Sequence, residues 1–447
     1  MNPLPFDIPP GEHAARASHM AEDLFRHEGA RIVAILASHF GVNYLQLAED
    51  VVQEALVRAL QTWPYRGLPE NPAAWLMQTA KNLALDALRR EQRWQERQDG
   101  IAQAHERWLA TPAVTGEHIE TFDDDTLRMM FVCFHPQLSV EAQTALALRT
   151  LCGLSPAEIA SAFLTSEAAI SKRLVRARQR IRDLALPFAL PEMCELPSRL
   201  EGVLGTLYLL FSEGYKASSG DRLVREDLCH EAIRLALILA KHPATREPRT
   251  HALLALMLLN AARLPARVDD AGNLLRLHEQ DRTVWDQTMI RRGVEHLALS
   301  SSGDRLSEFH LEAGIAACHS TATNDSSTDW PRILALYDQL LKLKSSPILS
   351  LNRAVAVARV HGPQAGLDAI AEHNAIELYH LYHAVRGALM AELGRLEEAI
   401  ASYRQAEALA TIPSEREFIS KRISECEQRL RRRSPVMTPT SDPNIPA

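Results

Sequence analysis

Residues 154–183 read LSPAEIASAFLTSEAAISKRLVRARQRIRD. Ser155 precedes Pro156, and Glu158 follows three positions after the serine. That is a capping box with proline at the first helical position, so a helix begins at Pro156. Ile159, Ala160 and Phe163 give it an apolar face. Leu164, Thr165 and Ser166 then supply a short turn and a second capping hydroxyl ahead of Glu167. In the helix that follows, Ile170, Leu174 and Ala177 point inward and Ser171, Lys172, Val175, Arg176 and Gln179 are left outside. Two short helices about a tight turn, the second basic on its free face, make a helix-turn-helix able to enter a major groove. A plain helical hairpin with a solvated basic face is the alternative.

The charge around this stretch is local. The 447-residue chain carries 49 basic and 56 acidic residues, a net charge of −7, which excludes a uniformly basic nucleic-acid coat. Yet Lys172, Arg173, Arg176, Arg178, Arg180 and Arg182 fall in one short run that contains no acid. Any phosphate contact therefore belongs there.

Upstream, AEDVVQEALVRALQTW (residues 48–63) places Ala48, Val52, Ala55, Leu56, Ala59 and Trp63 on one stripe and Asp50, Gln53, Glu54 and Val57 on another. An acidic and amide-bearing face beside an exposed valine suits docking on a basic partner, and equally suits solvent. A loop at 64–70 leads to Asn71 and Pro72, an N-cap followed by an N1 proline, which opens a second helix, PAAWLMQTAKNLALDALRR. Its predicted core face is Leu76, Ala80, Leu83 and Ala87, with Gln78, Lys81, Asn82, Arg89 and Arg90 more exposed. Amides and cations near Tyr65 and Trp75 form a composition that can hold an unstacked single strand, although a tryptophan such as Trp75, taken alone, is more often a core residue than a stacking platform.

On these motifs the chain resembles sigma-70-type RNA polymerase sigma factors of the extracytoplasmic-function class: residues 48–60 and 74–91 resemble their region 2, and residues 154–183 their region 4. DDTLRMMFVCFHPQLSVEAQTALALRTLCGLSPAEIASAFL, LYLLFSEGYKASSGDRLVREDLCHEAIRLA, EQDRTVWD, IAACHS and LNRAVAVARVHGP resemble the subgroup with a long C-terminal helical extension. The resemblance implies core RNA polymerase, through its β′ clamp helices and β flap, and promoter DNA as partners. It implies that Asp50, Gln53, Glu54 and Val57 bind polymerase. Tyr65 and Arg66 in the loop region, with Gln78, Lys81, Asn82, Arg89 and Arg90, match the surface that melts and reads the minus-10 element. Ser171, Lys172, Arg173, Val175 and Arg176 match the face that reads the minus-35 element.

The pattern is almost all α, with apolar residues at i, i+3, i+4 and i+7 and no sustained alternation. The expected fold is all-α, two small helical sigma domains followed by a tetratricopeptide-like α-solenoid. The expected divisions are region 2 at 1–95, a polar linker at 96–122, region 4 at 123–190, the helical extension at 191–432 and a disordered tail at 433–447. Residues 380–410 fit a 34-residue tetratricopeptide pattern, with Gly387, Gly394, Ala399, Tyr403 and Ala406 at its packing positions. Degenerate copies are read at 346–372, around Ala354, and near Ala232, Ala236 and Pro243. Such arrays bind peptides or another domain of the same chain, so the extension is expected either to bind a regulatory protein or to control the sigma domains.

The remaining signals bound the function. Six dispersed cysteines without a C-x-x-C pair read as buried thiols in a reducing compartment, and the longest apolar run, 252–259, is far too short to span a bilayer, so a soluble cytoplasmic protein with no membrane partner is expected. His380 and His383 lack a third ligand at a fixed offset, and Asp123, Asp124 and Asp125 read as helix-capping acids, so no metal is expected. SSGDRL, at 218 and again at 301, reads as a turn leading into a helix. Without phosphate-loop, nucleophile-elbow or zinc-protease motifs, neither a cofactor nor an enzyme is expected. The competing reading is a helix-turn-helix regulator with a tetratricopeptide sensory domain that never joins polymerase. A helical scaffold that binds no nucleic acid is a third.

Overall fold

A computed structural model describes residues 28–94, 119–163, 165–215, 224–269, 275–303, 305–371, 379–410 and 413–433. Among them are eighteen α-helices and no β-strand. They divide into two compact units, Met1–Arg246 and Glu247–Ala447. The expected disordered tail from 434 onward, most of the linker and the first SSGDRL copy lie outside the described residues.

The first unit opens with α1 (Ala30–Phe40), α2 (Leu45–Arg66) and α3 (Pro72–Trp94). The whole expected α2 stripe, from Ala48 to Trp63, is buried. Gly67, at φ 81°, ends α2, and the Asn71 carboxamide caps α3 by accepting from the Ala74 amide at 3.0 Å. On α3 the core face differs from the expected one. Leu76 and Ala80 are buried, but the stripe continues through Ala84 and Leu88, flanked by Met77 and Leu85, while Leu83 and Ala87 are only half-buried. A strict i+4 row wins because α3 lies along α2, with Trp75 set edge-to-face on buried Trp63 at 5.5 Å.

Next come α4 (Ile119–Cys133), α5 (Val140–Thr150), α6 (Pro156–Ala162) and α7 (Glu167–Asp183). Because α4 starts at Ile119, Asp123 to Asp125 lie inside it and do not cap it. Asp125 is buried and accepts from Arg128 at 2.7 Å. The capping box forms as the sequence specifies: the Glu158 amide donates to Ser155 Oγ at 3.2 Å and the Ser155 amide to Glu158 Oε2 at 2.7 Å. Phe163, expected on the apolar face, is instead 40% exposed, because α6 stops at Ala162 and Phe163 turns away as its C-cap.

Two further helices belong to this unit, α8 (Leu196–Tyr215) and α9 (Glu226–Lys241). Gly214 lets them close, since a Cβ there would sit 2.8 Å from the Cys229 amide nitrogen. Both pack on α4 or α5: Arg199 donates to the Phe131 carbonyl at 2.5 Å and Arg234 to the Leu151 carbonyl at 3.2 Å. Cys133, Cys152, Cys229 and, in the second unit, Cys426 are buried as expected, but Cys318 is only half-buried. Cys194 is exposed because it lies in the proline-spaced connection before α8.

The second unit is a succession of antiparallel helices: α10 (Pro248–Ala261), α11 (Gln287–Ser300), α12 (Glu308–Thr321), α13 (Trp330–Leu343), α14 (Pro347–His361), α15 (Pro363–Ala371), α16 (His380–Glu392), α17 (Leu396–Leu409) and α18 (Pro413–Arg433). The apolar run 252–259 is buried all round, enclosed by α11 and α12. At the far end α16 and α17 close tightly, because Gly387 sits where a Cβ would lie 3.0 Å from the Tyr403 ring. Ala399, Tyr403 and Ala406 are buried in the same cluster. Beside that cluster His380 is 3.2 Å from the Glu415 carboxylate, and His383 is buried. The second SSGDRL begins at Ser301, the C-cap of α11, with a turn at Ser301 and Ser302, and its Asp304 lies outside the described residues.

Candidate polymerase and DNA interfaces

The outer face of α2 combines acid with exposed apolar surface. Asp50 and Glu54 are exposed, Gln53 is half-buried and Val57 is 46% exposed. Glu54 holds Arg58 at 3.0 Å. Leu60, 42% exposed one turn beyond Val57, extends this face and escaped the sequence reading because it completes no charge pattern. Loss of water to the neighbouring protein surface pushes the Asp50 carboxyl above its usual range, against the opposing pull of Arg178 and Arg149.

At the end of α2, Tyr65 is 89% exposed and Arg66 is exposed beside it. Trp75 is held by Trp63 and offers no such free ring. Along α3, Gln78 donates to Asn82 Oδ1 at 3.1 Å, Arg89 lies 3.6 Å from Asp86, and Arg90 donates to the Asp86 carbonyl at 3.2 Å. Lys81 is half-buried on the same side, and that burial lowers its ammonium pKa. The expected minus-10 residues of α3 thus line its polar side, with exposed Tyr65 at the end of α2.

On α7, Lys172 and Arg176 are exposed, Val175 is 55% exposed, and Ser171 and Arg173 are half-buried. Ile170, Leu174 and Ala177 hold the opposite side in the core. The acid-free run splits by helical phase. Lys172, Arg176 and Arg180 are exposed, Arg180 reaching Gln137 Oε1 at 3.1 Å, whereas Arg173 and Arg182 are half-buried and Arg178 turns inside.

Arg178, counted in the sequence with the cations open to phosphate, is instead buried. It pairs with Glu49, only 4% exposed on α2, while Thr150 Oγ1 donates to the other Glu49 oxygen at 2.5 Å. A buried carboxylate thus joins α2, α5 and α7. The signal was faint: Glu49 sits between buried Ala48 and exposed Asp50, and nothing local says that its partner lies 129 positions away.

Residues 24–94 match the model of sigma-70 region 2, and residues 128–181 that of sigma-70 region 4. Residues 199–301, which run from the first unit into the second, match a family of unknown function, DUF6596. An uncharacterized protein of Rhizobium meliloti (strain 1021) is 40% identical over 385 residues, covering 85% of this chain and 90% of that protein. No solved structure matches.

Proposed function

Because this chain belongs to the sigma-70 family, with region 2 followed by region 4 and a helical extension, we propose that it directs core RNA polymerase to specific promoters of the extracytoplasmic-function type. One observation carries the reading: a capped helix-turn-helix with an outward Lys172, Val175 and Arg176 shares a compact unit with an outward Asp50, Glu54 and Val57. A simple operator-binding regulator has no need of the second face. In this role Asp50, Gln53, Glu54 and Val57 dock on the β′ clamp helices. Tyr65, Arg66, Gln78, Lys81, Asn82, Arg89 and Arg90 hold the melted minus-10 strand. Ser171, Lys172, Arg173, Val175 and Arg176 enter the major groove at minus 35 while region 4 sits on the β flap. The work is non-enzymatic and cytoplasmic; no helix among the described residues is long and apolar enough to cross a membrane.

The Glu49–Arg178 pair adds a mechanical requirement. Elements centred at minus 35 and minus 10 lie about 25 base pairs, or about 85 Å, apart along B-form DNA. Tyr65 stands about 24 Å along α2 from Glu49, Arg176 about 3 Å along α7 from Arg178, and packed helices are about 10 Å apart. The two reading faces are therefore within about 50 Å of each other, and regions 2 and 4 separate when both elements are engaged. Docking on polymerase supplies the energy for parting them.

The extension, in this reading a tetratricopeptide-like array, regulates that step by binding a regulatory protein. Ending the chain at Arg246 is expected to change promoter-dependent initiation at least severalfold while leaving the first unit folded; equal initiation by both lengths removes the regulatory role. For docking, Asp50→Ala with Glu54→Ala is expected to abolish co-purification with core enzyme, and undiminished co-purification favours the regulator that never joins polymerase.

A further inference from the structure

Three stretches singled out in the sequence, EQDRTVWD, IAACHS and LNRAVAVARVHGP, are left unused by promoter recognition, and the second unit brings them together. Arg282, from the first, donates through Nη1 to the His319 carbonyl at 2.8 Å and to the Ala322 carbonyl at 2.6 Å, capping the end of α12. Its guanidinium lies 4.8 Å from the Trp285 ring centroid. His319, from the second, stands edge-on to Trp330 at 5.2 Å. Arg359, from the third, lies 5.6 Å from the other partner in this stack, the Trp330 ring.

Two nitrogens in this cluster are shut off from bulk water and bonded to no group among the described residues: Arg282 Nη2 and His319 Nδ1. Arg263, buried at the end of α10, brings a second guanidinium that repels Arg282. One acid, Asp325, attracts Arg282 in turn. Like charges gathered in a desolvated place with idle N–H groups are costly, and an anion reverses the sign of that cost. We infer that Arg282 and His319, backed by Arg263, form a binding site for a small oxyanion, a phosphate or carboxylate group of a metabolite. One oxyanion accepts from the guanidinium and the imidazole together, a charge-assisted bond on one side and a neutral one on the other. His319 suits the neutral role, since burial and the two guanidiniums hold its pKa down to about 3. This site stands on the second unit alone and does not depend on promoter recognition.

Trp285 and Trp330 supply the readout. The full-length protein is titrated with inorganic phosphate, with succinate and with chloride at matched ionic strength, following tryptophan fluorescence and heat. The expected result is saturable one-to-one binding of phosphate or succinate and none of chloride, with the responding anion separating a phosphate ligand from a carboxylate one. Arg282→Gln and His319→Phe should each raise the half-saturating concentration about tenfold or more. Arg292→Gln, an exposed cation on α11, should leave it unchanged. His319→Phe keeps the ring on Trp330 and the cap on α12, so it decides the matter where Arg282→Gln unfolds. Absence of saturable binding of both oxyanions, or binding indifferent to His319→Phe, overturns the site.

Discussion

The two units use arginine in opposite ways. On α7 of the first unit, Lys172 and Arg176 are exposed and Arg173 half so, with no carboxylate among the described residues bonded to them. In the second unit Arg263 and Arg422 are buried, and Arg422 pairs with both Glu279 and Glu425. Surface cations gathered on one helical face create a field for an anionic partner that arrives later, whereas inward cations bind the fold to itself. Arg178 is the instructive exception, an arginine of α7 used in the second way.

The largest expected effect comes from that exception. Arg178→Ala leaves Glu49 charged and enclosed, and should lower the stability of the first unit by about 3–5 kcal/mol in denaturant unfolding. Combining Glu49→Leu with Arg178→Leu should recover most of the loss; if the single change costs no more than an exposed arginine, the contrast between inward and outward cations fails on this helix. Arg176→Ala should act in the opposite sense, leaving stability unchanged within about 0.5 kcal/mol. It should weaken binding to promoters with an intact minus-35 element by about 1–3 kcal/mol, measured against promoters mutated there. An equal loss on every sequence makes Arg176 a phosphate contact.

The smallest effect concerns Glu279 in the second unit. Burial would raise its carboxyl, but hydrogen bonds from Arg276 and Arg422 prevail and hold it at about 2. Its folded pKa is thus below the unfolded one. The stabilisation it contributes is present above pH ~4.5 and is lost as pH falls toward 2, amounting to about 1–2 kcal/mol after solvent screening. Glu279→Gln should flatten that part of the acid unfolding curve, and an unchanged curve removes Glu279 as its source.

The helix-turn-helix was legible because its determinants are local. Ser155, Pro156, Glu158 and Ser166 fix the helix starts within a few residues, and Ile170, Leu174 and Ala177 orient α7 without help from elsewhere. The stripe on α2 was legible for the same reason. On α3 the phase slipped toward Ala84 and Leu88 because the choice between neighbouring apolar rows is made by α2, not by α3 itself. Glu49, Arg178 and the meeting of Arg282 with His319 were not legible. Each depends on partners 37 or more positions away, and a charge that will be enclosed has the same letter as one that will not. In the second unit the Gly387 and Tyr403 contact could be read because a glycine facing a ring recurs at fixed spacing in helical hairpins.

The most direct measurement is run-off transcription with purified core enzyme, adding the full-length chain to a template pool of genomic DNA and mapping the start sites. Discrete starts are expected, each preceded by shared elements near minus 35 and minus 10, that vanish when the chain is omitted. Sequence-specific DNA binding with no core-dependent starts on any template would contradict it.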